Sequence, residues 1–357
     1  MTAVRFRRDL RRAFEFAALF ALVLLVSAAP AVPAGAKRQP GRMPGKLVPR
    51  FGALIGAFVN PTGAKTLSRQ DQANLVLEFE SMIGRKLDIE MWYYRWGSDF
   101  WRRVPRWDLA NGRIPEVKYG AGGDAPSLDS IIRGSHDAEI RQLADGAKSL
   151  RRQFLFCPFW EMNGEWETWS GAKNNDPGTH NGPLKFVAAW RHMHDIFVRR
   201  RATNAVWVWA PNKSDVPRDS WNHWSRYYPG DRYVDWVGMD GYNWGTSAPS
   251  WGSRWVSFEE VFRPLYRDFQ RRKPIMVAET ASAEAGGSKR RWIADAAAAI
   301  KARFPDLVAV TWFDDNKPTE TDWRVDSSPG SLSAYKAWVH DRYFNNVRAR
   351  RRRINSR

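Results

Sequence analysis

The sequence is short of cysteine: Cys157 is the only one in 357 residues. An internal disulfide is therefore excluded, and stability has to come from a packed core. Within the run FLFCPFW the thiol reads as a small buried hydrophobe, since no base partner accompanies it. Histidine is also sparse. The six residues are scattered, and none joins a Cys or His at metal-ligand spacing, so neither a metal nor another cofactor is expected. The segment VNPTGAK at 59–65 lacks the glycine spacing of a phosphate-binding loop, which argues against a doubly wound nucleotide-binding sheet. The apolar run LFALVLLVSAA at 19–29 is short for a membrane span.

Acids are fewer than bases, 38 against 56, for a formal net charge of +18. Part of this surplus sits at the ends. Residues 1–36 read as a secretion signal: arginines at 5, 7, 8, 11 and 12, the apolar run, and then the small residues Ala34-Gly35-Ala36. A secreted, extracellular protein is the expectation. Residues 346–357 read as a basic solvated tail, with six arginines and no acid between Arg348 and Arg357. The remaining bases are dispersed among acids and tryptophans, without a nucleic-acid-binding module, so no nucleic-acid partner is expected. Attraction to an anionic cell wall or polysaccharide is the plainer use of the charge. A monomer is expected.

Residues 37–50, rich in Pro, Gly and bases, read as a linker. Beyond them, eight short apolar runs, at 53–59, 87–93, 114–119, 154–160, 205–210, 234–239, 274–279 and 308–313, predict strands. Stripes at helical spacing lie between several of them. Phe186, Trp190, Met193 and Phe197 form one, and Phe258, Phe262, Leu265 and Phe269 another. A further helix is predicted to start with Ser135 as its N-cap. This alternation predicts an α/β fold, a (β/α)8 TIM barrel, as a single catalytic domain over 51–345.

In such a barrel, reacting groups sit where strands end on the C-terminal face. Two predicted strands end on carboxylates: FLFCPFW runs into Glu161, and PIMVAE ends on Glu279. A charge at the end of an otherwise apolar strand is costly unless it is paired or used. Two carboxylates on one rim can divide the work of glycoside cleavage, one assisting the leaving oxygen and one attacking the anomeric carbon. Glu165 and Glu167 share the loop after strand four but fall past the Asn163-Gly164 turn, which makes them rim residues. Tyr242, in VGMDGYNW, is placed to hydrogen-bond Glu279. Trp312, at the end of strand eight, is the candidate apolar floor beneath the reacting sugar. Trp160, Asn163, Trp166 and Trp244 complete the expected substrate-contacting set. Twenty tryptophans, many in predicted top-face loops, suit a cleft that stacks a glycan chain.

The runs GAFVNPTG, IIRGSHDAEIRQLADGAK, FWEMNGEW, VGMDGYNW, PIMVAET and VTWFDDNK, in this order, resemble glycoside hydrolase family 26, the β-mannanase family. The resemblance implies a retaining endo-β-glycanase acting on β-mannan by double displacement. It implies Glu161 as acid/base, Glu279 as nucleophile, Tyr242 as the nucleophile's partner and Trp312 as the platform. Family members acting on mixed-linkage β-glucan or β-1,3-xylan are the alternative, as is a weakly catalytic glycan-binding protein. Two departures from the pattern stand out: Trp160 replaces a His before the acid/base, and Cys157 replaces an Arg four positions before it.

Overall fold

The computed structural model describes residues 44–64, 67–317 and 319–345. The expected signal at 1–36 and the basic tail at 346–357 lie outside the described residues. The stretch read as a linker is described only from residue 44, and there it docks. Lys46 pairs with Asp235 at 3.2 Å, its carbonyl accepts from Trp236 Nε1 at 2.8 Å, and Leu47 and Val48 pack partly against the core.

Eight parallel strands close on themselves: β1 (Leu54–Asn60), β2 (Ile89–Arg95), β3 (Ile114–Ala121), β4 (Phe154–Pro158), β5 (Ala205–Trp209), β6 (Trp236–Val237), β7 (Ile275–Thr280) and β8 (Leu307–Lys317). Each pairs with the next, and β1 pairs with β8 from Leu54↔Ala309 to Asn60↔Asp315. A short strand, β9 (Thr321–Asp322), folds back antiparallel on the end of β8. The strands are near-continuous apolar runs because one face fills the barrel and the other is covered by helices. Gly56 shows how tightly they approach: a Cβ there would lie 2.9 Å from both Ile89 Cβ and Thr311 Oγ1.

The outer layer consists of α1 (Arg69–Ile83), α2 (Val104–Ala110), α3 (Leu128–Ile132), α4 (Asp137–Ser149), α5 (Gly182–Arg199), α6 (Phe258–Phe269), α7 (Lys289–Arg303) and α8 (Pro329–His340). The first opens on a reciprocal Ser68–Asp71 capping box and stops at Gly84 in the left-handed region. The predicted cap at Ser135 is displaced by one residue, with His136 preceding α4. Between β5 and β6 the described chain makes three 3₁₀ turns, 220–222, 224–227 and 231–233, in place of a helix. Arg85, after α1, donates to the carbonyls of Val339 and Phe344 and pairs with Asp88, tying the turn after the first outer helix to the end of the last.

Candidate active site

The β4 chain leaves the barrel through two strained residues. Phe159 and Glu161 both have φ of +53°, a left-handed backbone that non-glycine residues seldom adopt. The strain is held by ladder-like bonds on both sides, Phe159 N–H to the Tyr119 carbonyl and Glu161 N–H to the Ala210 carbonyl at 2.8 Å. This turn aims the Glu161 carboxyl along the rim. There Oε1 accepts from Asn212 Nδ2 at 2.6 Å and Oε2 from Trp166 Nε1 at 2.7 Å. Removal from water pushes the Glu161 acid up to about 7, and repulsion from Glu279 adds to the effect. The Asn212 and Trp166 donors oppose the rise, because they favour the charged form.

Isolated parallel bridges run from Asn212 to Asp240 and from Asp240 to Glu279, so these residues lie side by side on the ends of strands five, six and seven. Glu279 has a different retinue from Glu161. Tyr242 donates its hydroxyl to Glu279 Oε2 at 2.5 Å. Burial, followed by the nearby Glu279 charge, raises the phenol well above its ordinary range, so it stays a donor. Lys118, projecting from β3 into the barrel and wholly buried, places Nζ 2.8 Å from Glu279 Oε1 and 2.8 Å from Asp240 Oδ2. Burial alone would pull this ammonium down, but the two carboxylates hold it above the ordinary lysine range. Below it, Glu116 accepts from Thr311 at 2.7 Å, and burial pushes it up to about 8.

The structure thus brings Glu161, Glu279, Tyr242, Trp166 and Trp244 to one rim. Trp160 is 5% exposed and packs between Tyr93 and Trp169, with the Lys118 ammonium 5.6 Å from its ring centre. It is a wall behind the carboxylates rather than an open contact surface.

Two further expected contact residues require correction. Trp312 does not reach the cleft. It is 1% exposed, its ring faces Trp292, Tyr335 and Trp338 on the outer helices, and Nε1 donates to the Trp323 carbonyl at 3.0 Å. The cause is strand alternation: Thr311 and Phe313 take the inward positions on β8, and Trp312 takes the outward one. The indole beside Tyr242 is Trp323, with ring centres 5.1 Å apart. Asn163 also turns away from the cleft. Fully buried, it donates to the Asn212 carbonyl at 2.9 Å and to Asp215 Oδ1 at 2.8 Å, and it accepts from Asn212 N–H at 2.9 Å. It braces the loop that presents Asn212 to Glu161.

Asn212, Lys118, Asp240 and Trp323 did not emerge from the sequence reading. Lys118 carried a usable signal: EVK inside the apolar strand IPEVKY is the same costly placement of charge that singled out Glu161 and Glu279.

With this geometry in place, the chain can be set beside known proteins. The model of glycosyl hydrolase family 26 matches residues 129–339. Endoglucanase H of Acetivibrio thermocellus is 38% identical over 289 residues, covering 80% of this chain and 30% of that protein. A mannan endo-1,4-beta-mannosidase of Bacillus subtilis is 29% identical over 166 residues, covering 43% of this chain and 44% of that protein. The chain therefore spans less than half the length of either relative. Among solved structures, the catalytic domain of the Bacillus sp. JAMB-750 GH26 endo-beta-1,4-mannanase superposes with a TM-score of 0.61 at 16% identity, covering 82% of this chain and 87% of that one. The Bacillus subtilis mannanase BCman gives 0.57 at 22% identity, covering 81% and 85%. At these identities the two superpositions speak to the barrel fold.

Proposed function

The chain belongs to glycosyl hydrolase family 26, and from that premise we propose that it is a retaining endo-β-glycanase with Glu161 as acid/base and Glu279 as nucleophile. The observation that carries this reading is the unequal treatment of two carboxylates on one rim. Glu161 sits where an acid keeps its proton up to about pH 7, whereas Glu279 is met by a cation and a phenol O–H. In the first step Glu279 attacks the anomeric carbon while Glu161 gives its proton to the departing glycosidic oxygen. In the second, Glu161 takes a proton from water, the water oxygen attacks the same carbon, and the Glu279–sugar bond breaks. Two inversions at one carbon leave its configuration retained.

The leading substrate is a β-mannan-type polysaccharide, the material named for the mannosidase relatives. A second reading, a β-glucan, is favoured by a specific observation: an indole, Trp160, precedes Glu161 and is packed into the wall, offering no ring nitrogen as an acceptor to sugar hydroxyls. The relative with the longest match among those described, Endoglucanase H, points the same way. Reducing-sugar release from purified β-mannan, glucomannan, mixed-linkage β-glucan and β-1,3-xylan decides between them. Proton NMR of the first product tests retention, and an inverted product would overturn the assignment of Glu279. The proposal includes export by the segment 1–36, tested by N-terminal sequencing of protein recovered from the medium.

A further inference from the structure

Six large apolar side chains stand exposed among the described residues, and two of them are indoles. Trp166, 43% exposed, is bonded to Glu161. Trp251, 65% exposed, belongs to the loop after β6. A line of ring contacts joins it to the site: Trp251 to Trp244 at 4.9 Å between centres, Trp244 to Tyr242 at 6.4 Å, and Tyr242 to Glu279.

The loop that carries Trp251 is firmly held. Buried Asn243 accepts from the N–H groups of Gly245 and Val256 through one oxygen, at 3.2 and 2.9 Å. Thr246 N–H reaches the Ala285 carbonyl, and Ala248 and Ser253 bond reciprocally. Trp251 itself closes a 3₁₀ turn that begins at Pro249. An open indole on a fixed loop is a surface prepared in advance, with little ordering entropy left to lose on binding. Its loop neighbours include the small hydroxylated residues Thr246, Ser247, Ser250 and Ser253, beside Ala248, Pro249, Gly252 and Arg254, which is paired with Glu260. A protein partner of ordinary size needs about 800 Å² from each side, and this single ring among hydroxyls offers little apolar surface. A sugar, with one C–H face and a polar edge, matches it.

We propose that Trp251 is a stacking platform for a sugar unit of the polysaccharide beyond the two units joined by the cleaved bond, continuing the aromatic line from Tyr242 through Trp244. This rests on the glycanase reading. It adds that recognition runs past the reacting pair along the β6 loop, so that longer chains are held better than short ones.

The test compares wild type, Trp251→Ala and Trp251→Phe on glucomannan, mixed-linkage β-glucan and the shortest oligosaccharide that is cleaved. Migration in gels cast with each polysaccharide is followed in parallel. The expected result for Trp251→Ala is a KM on polymer raised about tenfold at unchanged kcat, an unchanged kcat/KM on the short substrate, and faster migration in the polysaccharide gel. Trp251→Phe should recover part of the loss. An unchanged KM on polymer overturns the platform, and so does an equal loss on the short substrate, which would place Trp251 at the reacting pair. Wild type that cleaves nothing would sink the glycanase reading. In that case gel migration alone decides the platform: faster migration of Trp251→Ala supports it, and equal migration removes it.

Discussion

The ends of β4 and β7 carry the same functional group in opposite company. At β4 the carboxyl meets neutral donors, an amide from Asn212 and an indole N–H from Trp166, and lack of solvation pushes it up to about 7. At β7 the carboxylate meets the Lys118 ammonium and the Tyr242 hydroxyl. Chemical identity therefore does not distinguish the two proposed roles; the neighbours do. In the roles proposed, the acid keeps its proton where its direct hydrogen-bond partners are dipoles, and the nucleophile is placed where a full charge meets it.

The largest effects are expected at the two carboxylates. Glu161→Ala should lower kcat on polysaccharide by about 10²–10⁴, the usual worth of a general acid, and Glu279→Ala by more. Substrates with a good leaving group separate the two, since in Glu161→Ala they keep the first step and accumulate a glycosyl-enzyme visible by mass spectrometry. Near-normal turnover of polysaccharide in either variant would remove the assignment.

Next in size is Lys118→Met, which leaves Asp240 and Glu279 without their cation. Loss of one partner from a buried ionic cluster costs about 3–5 kcal/mol of stability, read as a lower Tm and denaturation midpoint, with kcat reduced as well. Lys118→Arg keeps the charge and should recover part of both. If Lys118→Met melted like wild type, the cluster would not be holding that corner of the barrel.

A smaller effect sharpens the contrast. Because Glu161, as the proposed acid, would have to be protonated for the first step, kcat/KM should fall as the pH rises through about 7. Asn212 and Trp166 favour its charged form, so removing either donor pushes the acid up further. Asn212→Ala and Trp166→Phe should each move the alkaline limb to higher pH, by about one unit or less. A limb that moved down would reverse the role given to these donors.

Smallest in absolute rate is Trp160→His. An imidazole at the wall restores a polar contact and should change the ratio of kcat/KM between β-mannan and mixed-linkage β-glucan, on a scale of about 1–3 kcal/mol. Equal ratios in a folded variant would make Trp160 a packing residue and locate substrate preference elsewhere.

Most of the barrel could be read from the sequence because strands buried on both faces appear as unbroken apolar runs, as in FLFCP and IMVAET. The carboxylates at their ends stood out for the same reason. What escaped depended on direction. A strand sequence does not say which face is inward until its partners are known, and Trp312 therefore looked like a cleft floor while pointing at the outer helices. Asn163 sat in a motif full of reactive side chains yet faces inward to brace its neighbour. Asn212 becomes legible only when strands four and five are side by side, 51 residues of separation closing to a 2.6 Å contact. The turns between β5 and β6 replace a helix whose apolar stripe the sequence never showed.

The sole thiol also has an experimental use. Cys157 is fully buried on β4, in register with Lys118 on β3, and burial holds it well above the ordinary cysteine range. While the barrel is closed it should be invisible to thiol reagents. Its labelling rate in native conditions would then clock how often this part of the barrel opens. Slower labelling in the presence of a bound oligosaccharide would measure, at one atom near Glu279, how far the ligand suppresses that opening.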